Sequence, residues 1–230
     1  MGDRLGNCYI TACKNGELDK VKAAILLGCD VNYAHTEEPH LTGLILAACK
    51  GESHLPILST ILQTQGVDVN KTCKDNQTAL MNACYHGNIG GVALLCGAPG
   101  IDPNIQTIEG VTAAMWCLPS DNADCLTELL RIPGVNINLK AKNGFAAIHY
   151  AVIYNSLECL KILLQTDTVD VNLKNSAGNT AAMMCLIENK RDMFKTMMES
   201  AKVDVSIKNA KNKTLEEIAR YEGSQLFSKV

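Results

Sequence analysis

The stretch Asp75-Asn76-Gln77-Thr78-Ala79-Leu80-Met81-Asn82-Ala83-Cys84-Tyr85-His86-Gly87 decides the fold of this chain, because its pattern recurs along the sequence. Its turn residue returns every 34 positions, at Asn76, Gly110, Gly144, Gly178 and Asn212. A second marker keeps the same step, at Asn70, Asn104, Asn138, Asn172 and Ser206. A period of about 20 to 50 residues predicts a solenoid, in which each repeat packs only on its neighbours.

The repeat resembles the ankyrin repeat in the Asp-Val-Asn that follows its second helix. This tripeptide stands at Asp30-Val31-Asn32, Asp68-Val69-Asn70 and Asp170-Val171-Asn172, with Asp102-Pro103-Asn104 as a variant. The first helix departs from the family pattern, since Ala replaces Pro at Ala79, Ala113, Ala147 and Ala181. The family's His is present only as His149, and Met occupies the same place at Met81, Met115 and Met183. Ala and Met are good helix formers, so these departures leave the expected fold unchanged.

The resemblance implies an all-α ankyrin-repeat solenoid of helix-turn-helix layers, with short β-hairpin fingers, about six repeats and a C-terminal cap. We expect a single domain over residues 1–230. The predicted repeats span approximately 5–40, 41–74, 75–108, 109–142, 143–176 and 177–210, and the cap spans 211–230.

Each predicted first helix ends at a residue that tolerates a positive φ angle. These break positions are Gly87, Asp121, Asn155 and Asn189. The first helices before them are predicted at Thr78–Tyr85, Thr112–Leu118, Ala146–Ile153 and Thr180–Ile187. The second helices after them are predicted near Ile89–Cys96, Ala123–Arg131, Leu157–Leu164 and Arg191–Glu199.

Composition and charge narrow the classes of function. The chain has a formal net charge of -3, whereas a general nucleic-acid binder is usually strongly basic. No apolar run reaches the length of about 18 residues that a membrane span needs. The first residues, Met1 to Leu5, lack the charged-then-apolar run of a secretory signal, so we expect a protein of the cytoplasm or nucleus.

The 11 cysteines are interpreted as core residues of a protein in a reducing compartment. Cys13, Cys49 and Cys84 each follow an Ala at matching repeat positions, and Cys117 and Cys185 fall at the same packing level. A Cys at such a position acts as a small apolar side chain.

Two local patterns suggest chemistry and are interpreted otherwise. His35 and His40 are five residues apart with Pro39 between them, which prevents a single helical face from presenting both as zinc ligands. Cys84 and His86 are two residues apart on a predicted helix and therefore point to different sides. We expect no metal, no cofactor and no enzymatic activity.

The ankyrin resemblance implies a binding groove on the concave face, between the first helices and the fingers. By alignment with the family, the groove residues are Asn82, Tyr85, His86, Trp116, Tyr150, Ile153, Tyr154 and Met184. Exposed aromatic residues in a groove are typical of binding hot spots. The alternative interpretation is that Trp116 and Tyr150 fill space between neighbouring first helices.

Lysines recur at the predicted finger tips, at Lys140, Lys174 and Lys208. They predict a basic edge that would steer an acidic or phosphorylated segment of a partner toward the groove. The alternative is that they are ordinary solvated turn residues.

The family's Asp-Val-Asn residues resemble substrates of an asparagine hydroxylase, which makes Asn70 and Asn172 possible hydroxylation sites. A structural alternative is that each Asn bonds the backbone of the hairpin.

The sequence therefore predicts a monomeric, non-catalytic scaffold or adaptor that binds a peptide or a folded protein, and neither nucleic acid nor a membrane. The alternative function is a regulatory inhibitor or assembly chaperone that covers a partner enzyme, a transcription factor or a proteasome subunit. An enzyme that uses Cys84 is a third hypothesis.

Overall fold

A computed structural model describes residues 2–35 and 40–221, and the regular secondary structure of these residues is helical. The chain divides into two compact units, Met1–Trp116 with Asp124–Val135 and Cys117–Ala123 with Asn136–Val230. The predicted pairing of a first and a second helix in each repeat is confirmed. The expectation of a single domain stays a prediction.

The first unit stacks two rows of short helices. Its helices are α1 Gly2–Asn15, α2 Leu18–Leu26, α3 Gly43–Ala48, α4 Leu55–Leu62, α5 Ala79–Tyr85, α6 Ile89–Cys96, α7 Ala113–Trp116 and most of α8 Ala123–Leu130. The first helices α1, α3, α5 and α7 pack side by side, and the second helices α2, α4 and α6 form the other row. A 3-10 turn at Gly51–His54 precedes α4.

The second unit repeats the same arrangement. Its helices are α9 Ala147–Tyr154, α10 Leu157–Gln165, α11 Ala181–Ile187, α12 Arg191–Met198 and α13 Leu215–Tyr221. Helix α11 packs between α9 and α13, and α10 packs on α12. Helix α13 is the predicted closing helix, and the predicted cap residues 222–230 lie outside the described residues.

The turn residues adopt the backbone conformation that their sequence predicts. Their φ angles are positive at Asn76 (59°), Gly110 (79°), Gly144 (79°), Gly178 (74°) and Asn212 (57°). The four predicted helix breaks are also confirmed, at Gly87 (64°), Asp121 (50°), Asn155 (58°) and Asn189 (53°). At position 178 the positive φ is one reason for Gly. The other is space, because an added Cβ would collide with the backbone of Ala210 in the next finger.

The fingers are tight loops that resemble hairpins. In the third repeat the amide of Cys73 donates to the carbonyl of Gln77 at 3.0 Å, and Ala141 donates to Phe145 at 2.9 Å two repeats later. Among the described residues, the only bridge outside helices is the isolated antiparallel pair Ala34 and Thr42. Each finger is therefore closed by one or two hydrogen bonds instead of a regular strand pair.

An asparagine amide links neighbouring repeats within each unit. Asn70 Nδ2 donates to the carbonyl of Gly100 at 2.8 Å, and Asn70 Oδ1 accepts the amide of Asp102 at 2.9 Å. The same pair of bonds joins Asn32 to Gly66 and Asp68, Asn138 to Thr168 and Asp170, and Asn172 to Lys202 and Asp204. The repeated Asn therefore satisfies loop groups of the following repeat that would otherwise lack a protein partner.

A second side chain links the repeats at the other end of the first helix. Asn88 Nδ2 donates to the carbonyl of Ala48, the last residue of α3, at 3.0 Å. Lys190 occupies the same repeat position three periods of 34 residues after Asn88, and its Nζ donates to the carbonyls of Val152 (2.6 Å) and Ile153 (2.7 Å) in α9. These donors pair with helix-end carbonyls that have no partner inside their own helix.

One repeat begins its first helix differently from the others. Thr78 and Thr180 cap their helices by accepting the amides of Met81 and Met183, at 3.2 and 3.4 Å. Helix α9 begins after Ala146, which has no hydroxyl, and His149 compensates from within the helix. Its Nδ1 accepts the amide of Ala146 at 3.1 Å, and its Nε2 donates to the carbonyl of Leu173 at 3.0 Å.

The His149 ring is fully buried, and burial lowers its pKa from 6.5 to about 4. The imidazole is therefore neutral in the folded protein at neutral pH. In the unfolded chain it takes up a proton below about pH 6.5. Since the unfolded state then binds more protons, stability falls as the pH drops from 6.5 toward 4.

We expect the double variant A146T/H149M to remove this pH dependence, because it introduces the Thr and Met pair that stands at Thr78/Met81 and Thr180/Met183. Between pH 7 and 4.5 the wild type should lose up to about 3 kcal/mol more of its free energy of unfolding than the variant. Urea unfolding at both pH values measures the difference. Equal losses in the two proteins would show that His149 is not the titrating group.

We expect Asn138→Ala to lower the free energy of unfolding by about 2 kcal/mol, because it removes two bonds to the following repeat. The matched control is Ser206→Ala at the same repeat position, where the hydroxyl bonds Asp204 of its own loop at 2.6 Å. This control should cost less than about 1 kcal/mol. Chemical denaturation compares the two, and equal losses would argue against a role of the asparagine in joining the repeats.

Candidate functional site

A cavity of about 240 Å³ opens in the first unit beside the ends of α5 and α7. It is lined by Gln77, Met81, Asn82, Tyr85, His86 and Trp116. Four of these were predicted as partner-binding residues, namely Asn82, Tyr85, His86 and Trp116. The structure therefore brings together predicted site residues from two consecutive repeats.

The helical period explains which side chains of α5 reach this cavity. Asn82 and Tyr85 are three residues apart on one face of the helix, and His86, the residue after its end, continues this face. Ala83 and Cys84 lie on the opposite side and are completely buried in the core. The same helix thus supplies a packed face and a surface face.

Two aromatic rings meet at the cavity. The rings of Tyr85 and Trp116 are 4.9 Å apart and nearly perpendicular, at 88°, and the ring of His86 lies 5.2 Å from Tyr85. Tyr85 is 42% exposed and Trp116 is half-buried. The indole nitrogen of Trp116 is buried and has no hydrogen-bond acceptor among the described residues.

Asn82 is held in place by bonds to its neighbours. Its Nδ2 donates to the carbonyl of Thr78 at 2.9 Å, and its Oδ1 accepts from the thiol of Cys49 at 3.4 Å. Since Cys49 belongs to the preceding repeat, this wall of the cavity is fixed by the stack itself.

The second unit carries a separate aromatic cluster on α9. The rings of Tyr150 and Tyr154 are nearly parallel, at 12° and 6.1 Å, and Tyr154 is 47% exposed. Phe145 packs edge-to-face on Tyr150 at 5.8 Å, and Asn143 Nδ2 donates to the Tyr150 hydroxyl at 3.0 Å. This cluster places two more predicted residues side by side.

Two predicted surface residues differ from the prediction. Met184 is buried, and Asn175 Nδ2 in the finger before α11 donates a hydrogen bond to its sulfur at 3.4 Å. Ile153 is half-buried, and its carbonyl is taken by Lys190. The expectation that Met184 is exposed was therefore wrong, and Ile153 offers only part of its side chain.

The predicted lysine ladder is present along the fingers of the second unit. Lys140 Nζ donates to the carbonyl of Lys174 at 2.9 Å, and Lys174 Nζ donates to the carbonyl of Lys208 at 2.8 Å. All three residues are exposed. The ammonium groups of Lys140 and Lys174 thus remain charged at the surface, and each links its finger to the next by a hydrogen bond.

The two candidate hydroxylation sites have their amide groups in use. Asn70 and Asn172 each donate to one loop carbonyl and accept one loop amide of the following repeat. The structural alternative from the sequence analysis is thus confirmed, in that these Asn residues bond finger backbone. Their hydroxylation stays a prediction.

The cysteines predicted as core residues are mostly buried. Cys13, Cys84, Cys117 and Cys185 are buried, whereas Cys49 is half-buried. Burial raises the pKa of the Cys13 and Cys185 thiols to about 12 and that of Cys49 to about 11. These three thiols are therefore protonated and weak nucleophiles at neutral pH.

Cys84 and His86 lie on different sides of α5, as the spacing predicts. Cys84 is completely buried, and His86 is exposed. Within residues 2–35 and 40–221, no three His, Cys, Asp or Glu side chains cluster as metal ligands. The predicted loop between His35 and His40 includes residues 36–39, which lie outside this description. No helix of the described part is long and apolar enough to cross a membrane.

Two half-buried residues that the sequence patterns did not predict as site residues occupy one repeat position. Gln77 lines the cavity of the first unit, and Phe145 completes the aromatic cluster of the second. Each directly follows a turn residue with positive φ, Asn76 or Gly144. This position after the turn was the signal that could have identified them.

The fold can be compared with known proteins. A family model of ankyrin repeats (3 copies) matches residues 9–107 and 109–209. Comparison with curated protein sequences gives no match.

Two solved structures of low sequence identity share the fold. One is the ankyrin repeat domain of Bcl-3, a unique member of the IkappaB protein family, with a TM-score of 0.84 and 22% identity over 96% of this chain and 97% of that chain. The other is the human ASB11 ankyrin repeat domain, with a TM-score of 0.77 and 20% identity over the same shares. Together with the repeat geometry, the family match shows that this chain belongs to the ankyrin repeat family.

Proposed function

We propose that this chain is a non-catalytic protein-interaction module that binds a peptide or a folded protein through its exposed aromatic side chains. The observation that carries this proposal is the cavity in the first unit, where Tyr85 and Trp116 pack at right angles beside a space of about 240 Å³. Aromatic side chains around such a space give much contact area for little loss of conformational freedom.

The rigidity of the site supports binding. Asn82 is fixed by bonds to Thr78 and Cys49, and Tyr150 is fixed by Asn143. Side chains that are already ordered lose less entropy when a partner binds. The Asn82 and Tyr150 side chains are therefore already ordered before a partner binds.

The lysine edge favours an acidic partner. Lys140, Lys174 and Lys208 are exposed, and a hydrogen bond to a carbonyl does not neutralise an ammonium. Their charges would raise the association rate with an acidic segment, and this effect would weaken at high salt. We further propose that the module acts as a monomer in the cytoplasm or nucleus, where its buried thiols stay reduced.

Regulation of a partner is a second candidate function. Bcl-3 belongs by its description to the IkappaB protein family, and its ankyrin domain matches this chain over nearly the full length of both. In that case the chain would cover a partner enzyme, transcription factor or proteasome subunit. A captured partner whose activity falls on binding would favour inhibition over simple tethering.

We expect the variant Y85A/W116A to lose a protein that the wild type captures from a cell lysate, as measured by quantitative mass spectrometry. Removal of a hot-spot aromatic typically costs about 2 kcal/mol or more, which is at least about a thirtyfold loss of affinity per residue. The variant Y150A/Y154A tests the cluster of the second unit in the same way.

The matched control is L26A/L27A, which removes two apolar side chains that are 87% and 74% exposed elsewhere in the first unit. This control should retain the captured proteins, and circular dichroism should show the same helix content for all three variants. Identical capture by the wild type and both aromatic variants would contradict the proposal.

A further inference from the structure

The indole N–H of Trp116 is a buried donor without an acceptor among the described residues. The indole nitrogen can donate a hydrogen bond but cannot accept one. Leaving such a donor unpaired in the folded protein is unfavourable, because the N–H loses its hydrogen bond to water without a replacement. A binding partner that supplies an acceptor would recover part of this free energy, so the donor favours a ligand of specific chemistry.

The side chains that line the cavity also favour a ligand that accepts hydrogen bonds. None of the six lining residues has a carboxylate side chain that would repel an anion. Gln77 and Asn82 bring amide groups, and His86 brings an exposed imidazole. Hydrogen bonds in which one partner is charged are roughly twice as strong as neutral ones. Among acceptors, a carboxylate therefore gains most in this place.

We propose that the cavity between α5 and α7 holds the carboxylate of a Glu or Asp side chain from a protein partner, with Trp116 Nε1 as the donor. This inference rests on the proposed binding function and specifies the chemistry of the partner's anchor residue. The carbon stem of the anchor lies along the exposed ring of Tyr85, and the carboxylate reaches the indole.

Access to the indole requires a movement of a neighbouring ring. Trp116 Nε1 is buried in the unbound protein, and Tyr85 packs on the Trp116 ring at 4.9 Å. Tyr85 is 42% exposed, so solvent lies on one side of it and leaves room for the ring to turn. Binding thus exchanges the edge-to-face pair for a hydrogen bond to the carboxylate.

The chain has one Trp. Its indole N–H therefore gives a single signal in a 15N-correlated NMR spectrum, and this signal reports directly on the proposed donor. The probes are N-acetyl-glutamate N-methylamide, the corresponding glutamine amide, and the corresponding norleucine amide. We expect the glutamate probe to shift the indole proton downfield in a saturable way. The glutamine probe should bind about tenfold more weakly, and the norleucine probe should leave the indole proton in place.

The variant Trp116→Phe separates the hydrogen bond from ring packing, since it keeps an aromatic ring and removes the N–H. Binding of the glutamate probe, followed at the backbone amide of Asn82, should weaken about tenfold in this variant. Tyr154→Phe, in the other unit, is the control and should bind the probe as the wild type does. Full affinity of Trp116→Phe would overturn the assignment, because the carboxylate would then be held by other groups.

The probe experiment and the capture experiment fail independently. An indole signal that does not move with the glutamate probe, or that moves equally with the glutamine probe, overturns the carboxylate anchor. If Y85A/W116A still loses its captured partner in that case, the binding function stands and only the anchor chemistry is wrong. If the probe binds but capture is unaffected, the aromatic surface is not the partner site.

Discussion

The hydrogen bonds that asparagine side chains make between neighbouring repeats set the spacing of the stack in each unit. Helices of seven or eight residues, such as α5 and α6, are too short to be stable alone in water. They persist because each repeat buries an apolar face on the next one. Asn70 and its equivalents join the loops at the same step, since each amide both donates to and accepts from the following repeat.

The candidate site depends on this spacing. Tyr85 and Trp116 belong to consecutive repeats, and only a fixed distance between those repeats brings their rings to 4.9 Å. The bond from Cys49 to Asn82 adds the repeat before them. The cavity is therefore a product of three repeats, although each side chain comes from an ordinary position of its own helix. Changes at the surface positions can alter recognition without changing the buried face that stabilises the stack.

The features that could be predicted from the sequence are those with local causes. Asn76 and Gly144 take a left-handed conformation because few other residue types tolerate it, and the helix breaks at Asp121 and Asn155 follow the same rule. The face of α5 that carries Tyr85 follows from the helical period.

The remaining features depend on side-chain contacts that the repeat pattern does not encode. Met184 accepts a hydrogen bond from Asn175, nine residues before it, and the Lys140 ammonium bonds the next finger while it stays exposed. The unpaired donor of Trp116 depends on every side chain around it. A repeat alignment places such residues on a face of the helix, but it contains no information about which neighbour covers them.

Hydrogen exchange of the loop amides that bond the asparagines tests the central claim most directly. These amides belong to Asp68, Asp102, Asp170 and Asp204, all of which lie in exposed loops. If the asparagine bonds hold the repeats together, these amides open only with the repeat and exchange at least about a hundredfold more slowly than in an unstructured chain. Exchange at the unstructured rate would show that the loops open freely, and the asparagine bonds would not be what sets the spacing of the stack.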